Sequence, residues 1–221
     1  MIQIGITQAS NQAVATPLPI SWLGRADMPP SLPAYAAIST LSSTQVRNLL
    51  AQIGYDQSSW NYAKIGSSNQ LGKYQIDTLT LEDYGLLAVG SNATYGTDSV
   101  NRRTCWRSVT IRKNTNGYSN YLYNTTRLSD FLSNQVAQEH LAYQRLYDLY
   151  NDLTNVGAIL STDTTETVAG MIYVGWVLGV GESATGSNPA GTGAWGWRYS
   201  GIGSGVNSYN AGRYAITVLS Q

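Results

Sequence analysis

The side chains of this chain that could do chemistry are few and gather in three places. The first is Gln57-Ser58-Ser59-Trp60-Asn61-Tyr62-Ala63, preceded by Asp56. The second, beyond a polar turn over 66–70, is Leu71-Gly72-Lys73-Tyr74-Gln75-Ile76. The third is the pair Gln138-Glu139, set inside a long apolar pattern. Asp56 and Glu139 are carboxylates, the group that serves as a general acid when burial raises its pKa. Glu139 is a candidate buried carboxylate, and a structural hydrogen bond or an exposed charge is its competing reading. Tyr74 offers an apolar face with a polar tip, and Asn61 and Gln75 offer amides. The single histidine, His140, and the single cysteine, Cys105, exclude a metal site built on pairs of such residues. They also exclude an intrachain disulfide, and they leave a Ser-His-Asp triad only through His140. Cys105 reads as a small buried apolar residue. Gly201, Gly203 and Gly205 are no phosphate loop, since no strand precedes them and no phosphate lysine follows.

The elements that must position these residues are helical. Val46, Leu49, Leu50 and Ile53 form the stripe of a helix over 45–55, opened by Ser42 and Gln45 at capping-box spacing. This helix delivers Tyr55, Asp56 and Gln57 to its C-terminal end. A second helix is predicted over 77–87, continuing to Gly90, and a long one over 130–153. Asp163 and Glu166 have capping spacing before 168–178, a run apolar almost all round, which predicts a central buried helix. A glycine-rich loop is expected over 179–205, carrying Trp195, Trp197 and Tyr199, and a last helix opens at Tyr209. Residues 1–40 differ. Ile2, Ile4 and Ile6 alternate with polar residues and Gly5, and five of the six prolines follow. Proline fixes φ and lacks an N–H, so this segment is expected to be an extended arm, one that lies across a neighbour in the favoured reading and wraps its own core in the competing one. The fold class is therefore mainly α, with an arm over 1–40 and a helical domain over 41–221.

Composition narrows the function. Net charge is zero and 12% of residues are charged, about half the usual share. Tyr (16) far outnumbers Phe (1), and tyrosine is enriched at interfaces. Low charge suits a protein held in an assembly or working outside the cell. Arg102, Arg103, Arg107, Arg112 and Lys113 form a basic cluster, read as a solvated face and not as a nucleic-acid site because total charge is zero. No apolar run is long enough to span a membrane, and the first residues lack the basic region and apolar core of a signal peptide. No cofactor is expected.

The order Ser58, Asn61, Ala63, Gly72, Gln75, Ile76 resembles goose-type lysozymes and soluble lytic transglycosylases, including those fused to phage tail proteins. The resemblance runs from about residue 45 to the C-terminus and includes the Gln138-Glu139 pair and Gly212-Arg213-Tyr214-Ala215. It implies a lysozyme-like fold, a cleft at the end of the 45–55 helix, and sugar-facing roles for Asn61, Tyr74 and Gln75, with Trp195 as a further stacking candidate. It also places Gln57 where that family has its catalytic Glu. Gln is nearly the same shape but transfers no proton, and losing a general acid costs about 10²–10⁴-fold in rate. Asp56 is a weak substitute, because adjacent helical positions point about 100° apart and its side chain is one methylene shorter. The resemblance thus implies a structural phage virion protein of tail or baseplate, made without an export signal, with other virion proteins as partners in a multi-copy assembly. Two alternatives stand beside it: an active peptidoglycan-cleaving tail enzyme, and a cell-wall saccharide-binding module.

Overall fold

A computed structural model describes residues 35–88, 90, 106, 109–111, 121–123, 127–182, 191–200 and 205–217. The chain is mainly helical. Its described elements are α1 (Ser43–Ser58), α2 (Thr78–Asp83), β1 (Val109–Ile111), β2 (Tyr121–Tyr123), α3 (Leu128–Ser133), α4 (Gln135–Asn155), α5 (Thr165–Leu178), α6 (Gly193–Ser200) and α7 (Val206–Thr217). Residues 1–34 of the expected arm and all five residues of the basic cluster lie outside the described residues. Among the described residues, no helix is long and apolar enough to cross a membrane.

Packing divides the chain into two units, with the boundaries falling inside α1 and inside α4. One unit comprises Ala37–Gln52 and Arg145–Gln221. Its centre is α5, where Val168 through Trp176 are all buried. The all-round apolar surface expected of this run has no other place to go. The surface breaks only at the end, where Val177 is exposed. α7 crosses α5 closely: a Cβ on Gly212 would sit 2.6 Å from the carbonyl oxygen of Ala169, and one on Gly170 would meet the Tyr209 ring. The Ser42–Gln45 capping box forms as the spacing predicts, with the Ser42 N–H donating to Gln45 Oε1 (2.8 Å) and the Gln45 N–H to Ser42 Oγ (3.3 Å).

Two expectations for this unit are corrected. The cap of α5 is Thr164, whose hydroxyl accepts from the Thr167 N–H. Asp163 is drawn away by stronger partners. It accepts from the Leu160 N–H and pairs both oxygens with the Arg198 guanidinium (2.7 and 2.8 Å). The loop expected over 179–205 holds α6. Trp195 and Tyr199, four apart, pack with their rings tilted by 42° and 4.7 Å between centroids on this helix, and Arg198 reaches back to Ala158 O.

The other unit contains Ile53–Gln144 together with Tyr35 and Ala36. β1 and β2 pair antiparallel with Val109 opposite Tyr123. The helix predicted over 77–87 stops at Asp83, because Gly85 takes a left-handed φ of 75° and turns the chain back toward Leu81. The helix predicted over 130–153 is two helices. Asn134 interrupts it, its Oδ1 accepting from the Ala137 N–H and starting α4 afresh.

Candidate functional site

The site grows from the end of α1. Ser59 and Trp60 both have positive φ (53° and 63°). Their N–H groups close on Tyr55 O and Gly54 O, a Schellman-type cap on a helix that has no glycine to end it. Left-handed backbone costs a non-glycine residue about 1–2 kcal/mol, so something must hold it. Ser58 does part of this. Its hydroxyl donates to Lys73 O (2.7 Å) and accepts from the Asn61 N–H (3.0 Å), tying the helix end to both flanks of the loop that follows.

The rest of the hold comes from Gln138 and Glu139 on α4. The Gln138 side chain accepts from the Lys73 N–H (2.9 Å) and donates to Phe131 O (2.9 Å) and Tyr62 O (3.1 Å). Glu139 is fully buried and accepts four hydrogen bonds. Oε2 accepts from the hydroxyls of Tyr35 (2.6 Å) and Tyr74 (2.5 Å). Oε1 accepts from Tyr62 Oη (2.5 Å) and Lys73 Nζ (2.6 Å). Bonds of this length to an ionised acceptor are the strong kind. The Lys73 ammonium also lies over the rings of Tyr62 (5.1 Å) and Tyr74 (5.0 Å). Burial, with the neighbouring Glu139 charge, holds the Tyr74 hydroxyl well above its ordinary pKa, so it stays a donor. Tyr35 stacks on Tyr143 at 5.5 Å and 8°.

Two glycines make room for this arrangement. A Cβ on Gly54 would lie 2.6 Å from Lys73 Cε, and one on Gly72 would lie 2.1 Å from Gln138 Oε1. Gly72 also has φ of 73°. Gly72→Ala is therefore expected to cost roughly 1–3 kcal/mol, read as a lowered midpoint in urea. An unchanged midpoint would mean that Gln138 swings aside freely.

The residues singled out from the sequence are placed as follows. Gln57 is half-buried on the last turn of α1, and Asp56 beside it is exposed. Lys64 Nζ donates to Gln57 O (2.7 Å), and Lys64 O accepts from the Gly72 N–H (2.8 Å) and from Gln75 Nε2 (3.4 Å). One lysine thus brings Gln57 and Gln75 together. Asn61 is exposed, and its Oδ1 accepts from the Ala63 N–H. Tyr74 does not face a ligand. It is 1% exposed, its hydroxyl is spent on Glu139, and its ring is part of the buried cluster. Trp195 belongs to the other unit, half-buried against Tyr199.

Tyr35, Tyr62, Lys73 and Tyr74 were not foreseen as partners of Glu139. The one signal was a charged residue in an apolar helical pattern of a chain with few charges. Glu139 has no side open to a ligand, so the cluster is a buried anchor that fixes the loop over 59–76. Among the described residues, no three His, Cys, Asp or Glu side chains converge as metal ligands would. Comparison with family models, curated proteins and solved structures gives no match to this chain.

Proposed function

We propose that the chain is a structural component of a phage virion, in the tail or baseplate, built on a degenerate peptidoglycan-hydrolase fold of the lysozyme or lytic-transglycosylase kind. One observation carries the reading. The end of α1, where the resemblance puts the catalytic acid, presents Gln57, while the buried carboxylate of the same unit is saturated by four donors. A bond-cleaving site needs a positioned proton donor, and neither residue is one. Asp56 is exposed and lacks the burial that tunes a general acid. Low charge and many tyrosines suit a subunit with extensive contacts to other virion proteins, made by the proline-rich segment among others.

Purified protein is expected to leave peptidoglycan intact in a turbidity or zymogram assay, and Asp56→Asn to change nothing. Lysis by the wild type that Asp56→Asn abolishes would replace this reading with an active enzyme. Gln57→Glu supplies a carboxyl at a helix C-terminus, where the dipole disfavours its charge. Turnover by that variant would show a retained cleft, and silence a purely structural fold.

A second reading, cell-wall saccharide binding, is favoured by Lys64, whose ammonium holds the Gln57 backbone carbonyl at the end of α1 and whose own carbonyl accepts from the Gln75 side-chain amide. Co-sedimentation with insoluble peptidoglycan, lost on Gln57→Ala, would support it.

A further inference from the structure

We infer that the backbone edge at Ile65 is a self-association site, where a second copy of this chain pairs antiparallel with Ile65 opposite Ile65 about a two-fold axis. Within the loop over 59–76, Ile65 bridges antiparallel to Leu71, and Leu71 to Ile76. Leu71 is the middle of the three and Ile65 the outer edge. The bonds flanking the Ile65–Leu71 bridge run from the Gly66 N–H to Gln70 O (2.7 Å) and from the Gly72 N–H to Lys64 O (2.8 Å). In such a pair the two opposed residues turn their own N–H and C=O away from each other. Leu71 uses both of its groups on Ile76 (2.8 and 3.0 Å). Those of Ile65 have no hydrogen-bond partner among the described residues, and its side chain is 51% exposed.

The order of groups along this edge points to a second copy as the occupant. The Ala63 carbonyl, the Ile65 N–H and carbonyl, and the Ser67 N–H all lack a hydrogen-bond partner among the described residues. A copy reversed about Ile65 sets Ala63 against Ser67 and Ser67 against Ala63. Each acceptor then meets a donor, and the two Ile65 residues exchange both of their bonds. That self-complementarity is the condition for an isologous contact. Charge agrees with it. Lys64 is the only charged residue between Gln57 and Leu71, and in this register it stands opposite Gly66 and not opposite its own copy. Its ammonium is drawn to Gln57 O (2.7 Å), so it does not guard the edge as lysines on exposed edges commonly do. The edge is also fixed before it pairs. Leu71 is fully buried, the Lys73 N–H is bonded to Gln138 Oε1 and its ammonium to Glu139, so little ordering entropy opposes association. A contact this short is weak between free chains, with half-association expected at roughly 0.1–1 mM, and repetition in an assembly strengthens it. The inference rests on the edge alone and holds with or without the virion reading.

The test is sedimentation equilibrium of the full-length protein up to about 1 mM, where the mass of the wild type should climb toward that of a dimer. Ile65→Lys sets an ammonium against its own copy and removes the apolar pair, and should raise the dimer Kd roughly tenfold or more. Its melting temperature should match the wild type, because the side chain is exposed. A second arm reads the register by disulfide formation under mild oxidation, with the linked peptides identified by mass. In Ile65→Cys the two opposed Cα atoms stand about 5.5 Å apart, within disulfide reach. In Ser68→Cys, on the same loop, each cysteine is offset from its copy by about 20 Å. Ile65→Cys should therefore cross-link roughly tenfold faster or more. A wild type that stays monomeric overturns the inference and leaves the edge to a different chain. An unchanged Kd in Ile65→Lys, or equal cross-linking of the two cysteine variants, overturns it as well. Should Ile65→Lys fail to fold, the cysteine pair decides.

Discussion

Glu139→Gln is expected to destabilise the protein by about 3–5 kcal/mol, the usual cost of leaving one member of a buried ion pair alone. The substitution is nearly isosteric, so packing is unchanged and the effect is electronic. Lys73, with 2% of its side chain exposed, is left without a counter-ion. The new amide also turns an N–H₂ toward hydroxyls and an ammonium that need an acceptor. A chain of this length should lose roughly 10 °C in melting temperature for such a change. Removing both charges in Glu139→Leu with Lys73→Met should recover a large part of the loss, because well-packed apolar pairs often equal buried ionic ones. Full recovery is not expected, since three tyrosine hydroxyls then lose their acceptor. Urea unfolding of the single and double variants measures the difference. A single-variant loss below about 1 kcal/mol, the range of an exposed pair, would show that Glu139 does not anchor the loop over 59–76.

The second large effect is on pH. His140 follows Glu139 on α4 and is 3% exposed. Burial holds its imidazole down from 6.5 to about 4, and the Glu139 charge pulls the other way without prevailing. The folded value lies below the unfolded one, so the unfolded chain binds a proton that the folded chain refuses. The stability that neutral His140 contributes is complete above about 6.5, falls as pH drops through the window, and levels off below about 4. The whole window is worth roughly 3 kcal/mol. His140→Gln removes the titrating group. Its stability should therefore fall less between pH 7 and pH 4.5 than that of the wild type, by nearly that amount. Parallel pH profiles for the two proteins would show that His140 is not held neutral by the fold. Glu139, the charged neighbour that acts on His140, is common to both proteins, so the difference isolates the histidine.

These two predictions share a feature with the proposed function. The loop that follows Gln57 is held from behind, by residues of α4, and not by contacts among its own side chains alone. The left-handed backbone of Ser59, Trp60, Asn69 and Gln75 is the cost of its shape.

The sequence by itself determined what nearest neighbours along the chain decide. The Ser42–Gln45 capping box, the α1 stripe of Val46, Leu49, Leu50 and Ile53, the buried α5 and the C-terminal helix depend on residues three or four apart, and local periodicity records them. It also marked Glu139 as a candidate buried carboxylate. What it could not contain is where competing local options are settled by partners from elsewhere. Asp163 has the spacing of a helix cap, yet a guanidinium 35 residues away takes it, and Thr164 caps α5 instead. Asn134 sits in an unbroken apolar pattern, yet its side chain caps a new helix. Tyr74 has the composition of a sugar platform, and its environment turns it inward. The partners of Glu139 stand 65, 66, 77 and 104 residues away in the chain. Four hydroxyl and ammonium donors meet on one carboxylate only because folding brings those segments together, and no spacing rule reaches across such separations.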